Sequence, residues 1–515
     1  MEMSTPQVSR RQFVGGSAAI LAMLGVGGLA GCGGNNGGNG SGAAAGGIEL
    51  GDTLTMISVA SNDTFDPITG SGADKVTMHS VFDNLFMFDE EGNAHEMLAE
   101  SYEQDGNTVT VVLRDANFSD GTPVTADDVV YSWDMLSADP SQGPYMSNYI
   151  SGITKVDDKT VEIGVVRDDT SWMNILAETI YVIPNGSYDP EANDYAAQPP
   201  VGSGAYTFES VDEARTVTLK ANEDYWGGAP AFKTVVVQAP VDSSTSLVAL
   251  QNGEVNVVAM MDPTSVETAR EDANLNVVEF EAWGQQMLCT LVGDQPFRSA
   301  IFHAINRQNI VDVVTGGDAE PATQFFAKKL LGADYDGAVT FDGYDPELAK
   351  EEIAETTMDL SQTFTLTATD EAGAQVAQCI QQDLAAIGVN IEVASVDVNT
   401  WSSQLMDQTL QMFINALGTD MLAVDSFIQL LFGDTSVYYY PISDEMKAKV
   451  AEMNAIPSVV ERHDLVIELL NDMQVECPIV PLYDTVNYDV YTKGIEGYLP
   501  SSAGTYVYYL GKLTK

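Results

Sequence analysis

The sequence is poor in basic residues, histidine and cysteine. Its 515 residues include 22 Lys and Arg against 75 Asp and Glu, for a formal net charge of -53, with four His and four Cys. A nucleic-acid binder needs a basic surface to attract phosphates, so this charge balance excludes that class and also opposes attraction to anionic membranes. Four cysteines without a C-x-x-C pair exclude a disulfide-framed scaffold and a zinc ribbon.

Catalytic and cofactor motifs are missing as well. The chain has no G-x-S-x-G, no H-E-x-x-H, no Walker A motif and no G-x-G-x-x-G after a predicted strand. Buried free thiols are the simplest interpretation of Cys289, Cys379 and Cys477, which can form one disulfide at most. The histidines have no metal-ligand spacing between them and are interpreted as surface or packing residues; they are His79, His95, His303 and His463. The sequence therefore favours a protein that is not an enzyme and that holds neither a cofactor nor a metal.

A hydrophobic content of 45% over this length predicts two or three domains with large cores. Short β-branched runs predict strands at 109–113, 160–166, 216–220 and 234–238. Helical periodicity predicts helices at 126–136, 296–314, 346–356, 372–386 and 459–474. Strands and helices mixed along the whole chain, with no repeat period, predict an α/β fold.

The N-terminal region has the order of an export signal. Arg10 and Arg11 precede an apolar stretch, 13–30, which is diluted by glycines and too weakly hydrophobic for a membrane-spanning helix. The twin arginines resemble a Tat signal, and Sec export is the alternative because the Lys that often follows in that motif is absent. Residues 29–32 (LAGC) resemble a lipobox, which implies a signal peptide at 1–31 and acylation of Cys32. The Gly-rich stretch 32–47 predicts a flexible linker, so we expect a protein tethered to the outer face of the cytoplasmic membrane.

Several stretches in the remaining chain carry a family resemblance. The most specific are 97–102 (MLAESY) and 112–133 (VLRDANFSDGTPVTADDVVYSW). Others follow in order: 64–67 (TFDP), 200–206 (PVGSGAY), 222–226 (NEDYW), 250–255 (LQNGEV), 298–301 (RSAI), 304–307 (AINR), 344–350 (YDPELAK) and 387–389 (IGV). Together they cover nearly the whole chain after the signal region, which is similar to the family 5 extracellular solute-binding proteins that serve peptide, nickel and some sugar ABC importers.

The resemblance implies a fold and a division of the chain. The fold would be the two-lobed, α/β periplasmic-binding-protein-like fold of the class II type, hinged by two crossover strands. Lobe I would comprise 48–80, 200–285 and 486–515, with an inserted subdomain at 81–199, and lobe II would be 286–485. The protein would be a monomer that captures peptides or amine-bearing solutes and delivers them to an ABC permease. A nickel or metallophore receptor is the alternative within the family, and an extracellular hydrolase is a third, disfavoured one.

The resemblance also indicates candidate ligand-binding residues. In peptide-binding members a Trp-x-x-Asp stretch holds the peptide ammonium, and here it corresponds to Leu417, Gly418, Thr419 and Asp420. A ligand ammonium would suit Asp420, although a loop-capping or solvated aspartate is an equal alternative because Leu417 replaces the Trp. Packing is the alternative for the aromatic candidates Trp401, Trp283 and Tyr439. Phe82 and Asn84 are further candidates, because they match a family stretch that lies close to the cleft.

Arginine is missing from much of the predicted binding lobe. After Arg307 the next arginine is Arg462. Some dipeptide binders clamp the C-terminal carboxylate of the ligand with an arginine, and such a bidentate clamp is unfavoured here. We therefore expect a cleft that prefers cationic or neutral solutes to anions.

Overall fold

The computed structural model describes residues 50–515 except 60–64, 70–74, 90–91, 141, 167–170, 190–200, 342, 419–422, 435, 457 and 500–507. The predicted signal peptide, linker and lipidation site at Cys32 lie outside the described residues, as do Thr419 and Asp420. None of the helices within the described ranges is long and apolar enough to span a membrane.

The described residues form a mixed α/β fold. The strands are β1 (Thr53–Ile57), β2 (Phe86–Phe88), β3 (Ala94–Glu96), β4 (Ala99–Asp105), β5 (Thr108–Leu113), β6 (Ile150–Asp157), β7 (Thr160–Val165), β8 (Tyr206–Val211), β9 (Val217–Ala221), β10 (Thr234–Gln238), β11 (Val257–Val258), β12 (Leu275–Thr290), β13 (Thr363–Ala368), β14 (Asn390–Ser395), β15 (Met412–Gly418) and β16 (Ile479–Thr492). The helices are α1 (Lys75–Val81), α2 (Ala126–Ala138), α3 (Gly143–Met146), α4 (Ser171–Glu178), α5 (Ser243–Gln251), α6 (Pro263–Arg270), α7 (Gln295–Ala304), α8 (Arg307–Val314), α9 (Lys328–Tyr335), α10 (Pro346–Ile353), α11 (Glu371–Ala385), α12 (Val398–Met406), α13 (Val424–Phe432), α14 (Asp444–Ala455) and α15 (Val459–Glu476), with a 3₁₀ turn at Leu510–Lys512.

The chain divides into two compact units. Unit 1 contains Glu281–Val486 together with Val165–Ile175, and unit 2 contains the described residues from 50 to 164, Leu176–Phe280 and Asn487–Lys515. The long strands β12 and β16 each have residues in both units. The predicted lobe and subdomain boundaries stay a prediction.

In unit 1 the sheet order is β14-β13-β15-β12-β16. Strand β13 pairs in parallel with β14 and β15, and β15 runs antiparallel to β12 from Gly284↔Gly418 to Thr290↔Met412. In unit 2 the order is β16-β11-β1-β10-β9-β8, in which β1 is parallel to β10 and β11. Unit 2 also contains an antiparallel sheet of order β4-β5-β7-β6 and a β2-β3 hairpin pair.

Local sequence signals account for several element boundaries. The carboxylate of Asp128 accepts the Thr125 N–H at 2.8 Å and the Thr125 hydroxyl at 2.7 Å, which closes the first turn of α2. The turn at 119–123 contains Gly121 at φ +87°, a backbone conformation that suits glycine. Asp242 caps α5 by accepting the Thr245 N–H at 2.9 Å.

The helix predicted at 296–314 is wrong as a single element. It is two helices, α7 and α8, separated by Ile305, which is extended, and Asn306, which caps α8 by accepting the Asn309 N–H at 3.1 Å. The backbone N–H of Asn306 donates to Asp383 at 2.9 Å. Arg307 then enters the interior, where its Nε donates to the Pro481 carbonyl at 2.6 Å. Long-range bonds therefore break a continuous helical period.

Candidate ligand-binding site

Strand β15 of unit 1 ends with two of the candidate ligand-binding residues, Leu417 and Gly418. Its last pairs with β12 place Leu417 opposite Gln285 and Gly418 opposite Gly284. Trp283 is the preceding residue of β12. The backbone pairing thus brings these three sequence-predicted residues to one end of the β12-β15 ladder, directly before the segment that contains Asp420.

An aromatic cluster packs beside this ladder within unit 1. Trp401, on α12, is buried and meets Phe413 of β15 edge-on, with ring centroids 5.4 Å apart. Tyr438 stacks on the same Phe413 at 6.3 Å. The Trp401 indole N–H is buried and has no hydrogen-bond acceptor among the described residues, so it remains an unused donor. The Tyr439 hydroxyl donates to the Leu410 carbonyl at 2.8 Å, and this bond occupies its proton.

All three arginines of Glu281–Val486 bond to interior acceptors. Arg298 donates to the Glu476 carbonyl at 2.8 Å and to the Gly293 carbonyl at 2.7 Å. Arg307, bonded to the Pro481 carbonyl, also lies over the rings of Phe302 and Phe341 at 4.7 and 5.2 Å. All three are buried, which leaves no arginine of this range on a solvent-facing surface.

The third of these arginines forms a buried ion pair. Arg462, on α15, places its Nε 2.7 Å from the Asp425 carboxylate on α13, and both side chains are about 95% buried, with exposures of 5% and 4%. Arg462 also donates to the Ile456 carbonyl at 3.2 Å. The pair ties α13, the helix that begins four residues after Asp420 in the chain, to α15.

In unit 2, the candidate residues Phe82 and Asn84 are buried. The Asn84 amide donates to the Ile180 carbonyl at 3.0 Å, while its Oδ1 has no donor partner among the described residues. Phe82 packs against Tyr181, with ring centroids 5.9 Å apart. Both side chains therefore contribute to the packing of the 180–181 segment.

The residue between them, Asp83, is the centre of a polar node that sequence reasoning missed. Its Oδ1 accepts the Tyr225 hydroxyl at 3.1 Å and its Oδ2 accepts the Trp226 indole N–H at 2.6 Å. The Arg114 guanidinium lies 4.4 Å above the Trp226 ring. Burial raises the pKa of the Asp83 carboxyl to about 7, against the opposing effect of the bonds from Trp226 and Tyr225. In the sequence, Asp83 is an acidic residue within an apolar stretch, between the candidates Phe82 and Asn84, and this position could have indicated a buried carboxyl.

Two glycines of the 200–206 stretch allow the backbone to approach this node. A Cβ on Gly202 would lie 2.0 Å from the Val81 carbonyl oxygen, and one on Gly204 would lie 2.6 Å from the Ser80 carbonyl oxygen. The Gly204 N–H donates to the Val81 carbonyl at 2.9 Å. Close backbone contact, rather than ligand chemistry, therefore explains the glycines of this motif.

The histidines occupy four separate environments. His79 is buried beside Tyr181 and Tyr509, and burial, followed by the nearby Lys75 charge, lowers its pKa to about 3. His303 bonds to Glu352 at 2.8 Å. The other two bond to acidic neighbours on the surface, His95 to Asp89 and His463 to Asp464. Across the described ranges, no group of three or more His, Cys, Asp or Glu side chains is arranged to hold a metal ion. Cys289, Cys379 and Cys477 are buried free thiols, as the simplest interpretation of the sequence predicted.

Comparison with known proteins places this fold and these motifs in one family. The model of the bacterial extracellular solute-binding proteins, family 5, matches residues 93–439. Di/tripeptide-binding protein 2 of Pseudomonas aeruginosa is 25% identical over 496 residues, which cover 87% of this chain and 92% of that protein.

Solved structures agree on the fold. The oligopeptide-binding protein AppA of Bacillus subtilis, in complex with a nonapeptide, is 21% identical with a TM-score of 0.74, over 90% of this chain and 98% of that one. NikZ of Campylobacter jejuni, in complex with Ni(L-His), is 18% identical with a TM-score of 0.77, over 90% of this chain and 99% of that one. The periplasmic-binding-protein fold predicted from the sequence is thereby confirmed. The chain belongs to the family 5 bacterial extracellular solute-binding proteins.

Proposed function

We propose that this protein is the extracytoplasmic receptor of an ABC importer, which captures a peptide or another amine-bearing solute and delivers it to the permease. The observation that carries the receptor role is the family match over residues 93–439. Relatives named as a di/tripeptide-binding protein and as an oligopeptide-binding protein with a bound nonapeptide support a peptide-type ligand. The protein works as a monomer without a catalytic step.

The anchoring part of the proposal rests on the N-terminal sequence. Cys32 follows the lipobox-like residues Leu29, Ala30 and Gly31, and its acylation would hold the receptor at the outer face of the cytoplasmic membrane. The Gly-rich residues after Cys32 would give the receptor a typical reach on the order of 20 Å from the anchor. Mass spectrometry of the membrane-extracted protein tests this point: a diacylglycerol-modified Cys32 supports it, and an intact residue 1–31 segment contradicts it.

The arginines of unit 1 bear on the class of solute. Within Glu281–Val486, Arg298, Arg307 and Arg462 all bond to interior acceptors, so none of these three is placed to clamp a ligand carboxylate. Asp420, by contrast, would offer a carboxylate to a ligand ammonium. These two features favour a solute with a free amine whose carboxylate contributes little to binding.

The remaining sequence-predicted residues support this ligand class in different ways. The Trp401 indole N–H has no acceptor among the described residues and could bond to a ligand carbonyl, and Leu417 and Gly418 lie on the strand that leads to Thr419 and Asp420. Trp283, Tyr439, Phe82 and Asn84 stay candidates for shaping the binding surface.

Replacing Asp420 by Asn tests the amine contact. We expect calorimetric titration of trialanine amide, a peptide with a free amine and no carboxylate, to lose about 2 to 5 kcal/mol of binding free energy, because a desolvated ammonium would lose its counter-charge. Asp434→Asn is the matched control, since it removes one exposed carboxylate of the same unit. Equal affinities of the two variants would reject the role of Asp420.

Transport itself is tested in the cell. Uptake of the solute should fall when this gene is deleted and return when Cys32-containing protein is restored. A permease that imports normally without the receptor would contradict the proposal.

A receptor for nickel or a metallophore is the second candidate, because NikZ in complex with Ni(L-His) shares the fold. The separate environments of His79, His95, His303 and His463 mean that a complexed metal suits this chain better than direct chelation by its histidines. Metal analysis of the purified protein separates the two candidates. An extracellular hydrolase is a third and weaker candidate, which turnover of a bound peptide would support.

A further inference from the structure

A buried carboxyl group of unit 2 joins several parts of the chain. Asp489, on β16, is fully buried. Its Oδ1 accepts the Met260 N–H at 2.9 Å and the Tyr508 hydroxyl at 3.3 Å. Its Oδ2 accepts the Tyr498 hydroxyl at 2.9 Å. Asp489 therefore connects β16 to the loop between β11 and α6, residues 259–262, and to the two segments that contain Tyr498 and Tyr508.

The β11–α6 loop contains a residue in an unfavourable backbone conformation. Met260 has φ +54°, in the left-handed region that side chains such as methionine seldom adopt. Its N–H donates to Asp489, and the N–H of Met261 donates to the Tyr488 carbonyl at 2.8 Å. A strained conformation persists where its surroundings determine it, and here both bonds lead to adjacent residues of β16. Loss of the bond to Asp489 would therefore allow this loop to relax.

The groups around Asp489 fit a neutral carboxyl group as well as a carboxylate. The Met260 N–H can only donate, so Oδ1 accepts its bond in either form. A hydroxyl can donate or accept, so the Tyr498 hydroxyl can accept the proton of a neutral carboxyl group at Oδ2. A proton can therefore be bound at Asp489 without leaving a hydrogen bond unmade.

The ionised form has no cationic partner among the described residues, because the three groups that bond to Asp489 are neutral. Tyr491 is a further titratable group, whose ring stacks on Tyr498 with centroids 4.6 Å apart. The charged groups of the adjoining segments bond to other partners or are exposed; they are Asp262 and Arg270 of α6, Lys493 after β16, Glu496 and Lys512. Burial therefore raises the pKa of Asp489 to about 6, against the bonds from Met260, Tyr498 and Tyr508.

We infer that Asp489 is a proton-binding site that controls how firmly the β11–α6 loop and Tyr498 are held on β16. With the proton released, a negative charge is buried without a cation, and the loop loosens. The folded-state pKa lies above the ordinary value of 3.8, so the stability that the proton confers is complete below 3.8 and is lost as pH rises to about 6. The residues of this site all belong to unit 2, and the inference does not depend on the solute.

Amide hydrogen exchange of the β11–α6 loop in the full mature chain tests this inference. After correction for the intrinsic exchange rate, wild-type protection should fall by about 10-fold or more between pH 4.5 and pH 7.5. Asp489→Asn keeps an acceptor for the Met260 N–H and supplies a donor to the Tyr498 hydroxyl, so its protection should change much less. Asp105→Asn, which removes one exposed carboxylate of the same unit, is the matched control and should behave as wild type.

The comparison of wild type with Asp489→Asn decides the result. Groups that titrate elsewhere are present in both proteins and affect them equally. If the protection of the loop in wild type falls no more than in Asp489→Asn, proton control by Asp489 is overturned.

A second variant separates proton binding from a merely structural role. The infrared carbonyl band of the protonated carboxyl group, taken as the difference between wild type and Asp489→Asn, should disappear with a midpoint near pH 6. Tyr498→Phe removes a donor to the carboxylate, so the midpoint should rise by about 1 pH unit when this variant is compared with the double variant Tyr498→Phe with Asp489→Asn. A carboxyl group already ionised at pH 4.5, or a midpoint that Tyr498→Phe leaves unchanged, would overturn the inference.

Discussion

In unit 1 the buried carboxylate of Asp425 faces the Arg462 guanidinium at 2.7 Å, whereas in unit 2 the buried carboxylates of Asp83 and Asp489 accept bonds from neutral groups. Asp489 accepts the Met260 N–H at 2.9 Å and the Tyr498 hydroxyl at 2.9 Å. Burial raises the pKa of Asp489 to about 6 and that of Asp83 to about 7. Asp425 is neutralised by a cation, whereas Asp83 and Asp489 rely on neutral donors, so these buried acids should respond differently to mutation and pH.

Breaking the ion pair of unit 1 should have the largest effect. Arg462→Met leaves the Asp425 carboxylate buried without its cation, and we expect a loss of about 3 to 5 kcal/mol in the free energy of unfolding. The double variant Arg462→Met with Asp425→Leu should recover much of that loss, because no unpaired charge remains. Urea unfolding of the three proteins measures this, and a single variant as stable as wild type would contradict a buried, paired charge.

The node of unit 2 should show a smaller, pH-dependent effect. In Asp83→Asn only one of the two terminal side-chain atoms still accepts a hydrogen bond, and the N–H₂ group faces a donor. We therefore expect a loss of about 1 to 3 kcal/mol in the free energy of unfolding near pH 5. The folded-state pKa of Asp83 is about 7, above the ordinary value of 3.8, so between these values the folded state keeps a proton that the unfolded state has released. The stability contributed by Asp83 therefore falls as pH rises through this window, by up to about 1.4 kcal/mol per pH unit.

Comparison of wild type with Asp83→Asn at pH 5 and pH 8 isolates this contribution. The variant should be less stable than wild type at pH 5 and much closer to it at pH 8. The other titrating groups are present in both proteins, so their contributions cancel in the difference. His79 is one of them: its pKa is lowered, so the stability that it contributes is lost as pH falls below about 6.5, the opposite direction to Asp83. A difference that does not change with pH would mean that Asp83 is ionised throughout.

Surface pairs should have the smallest effect and calibrate the other two. Lys350 and Glu347 form an exposed pair at 2.7 Å on α10. Lys350→Met should change the free energy of unfolding by about 0.5 kcal/mol or less, because water screens the charges. A loss comparable to that of Arg462→Met would remove the distinction between buried and exposed charges in unit 1.

Local features of this fold were predictable from the sequence. The turn at 119–123 and the bonds between Thr125 and Asp128 at the start of α2 depend on residues within four positions of one another. The helix predicted at 372–386 is α11, Glu371–Ala385, because Asp370 supplies a local cap. In these places the chemistry of neighbouring residues is sufficient.

Long-range features were not predictable in the same way. Tyr225 and Trp226 bond to Asp83 across 142 and 143 positions of the sequence, and Gln285 bonds to Asp484 across 199. No local pattern distinguishes these polar residues from exposed ones. The break at Asn306 was partly predictable from the sequence, because Asn is a favourable helix cap. The bond from its N–H to Asp383 was not predictable.

For the candidate site, the sequence pointed to β15 and the aromatic residue Trp401, and the structure describes their surroundings. Trp401 is buried against Phe413, with an indole donor that periodicity could not reveal. The internal bonds of Arg298 and Arg307 were equally hidden, because a sequence does not show whether an arginine is buried. The identity of the ligand depends on such three-dimensional detail.

The three arginines of Glu281–Val486 serve the interior, and we expect the solute to be held without a carboxylate clamp from any of them. Calorimetric titration of the mature protein with trialanine and with trialanine amide tests it most directly. We predict that the amide binds at least as tightly as the free carboxylate, because removing a negative charge costs no contact with Arg298, Arg307 or Arg462 and relieves repulsion from an acidic protein. An amide that binds ten-fold or more weakly would contradict the claim.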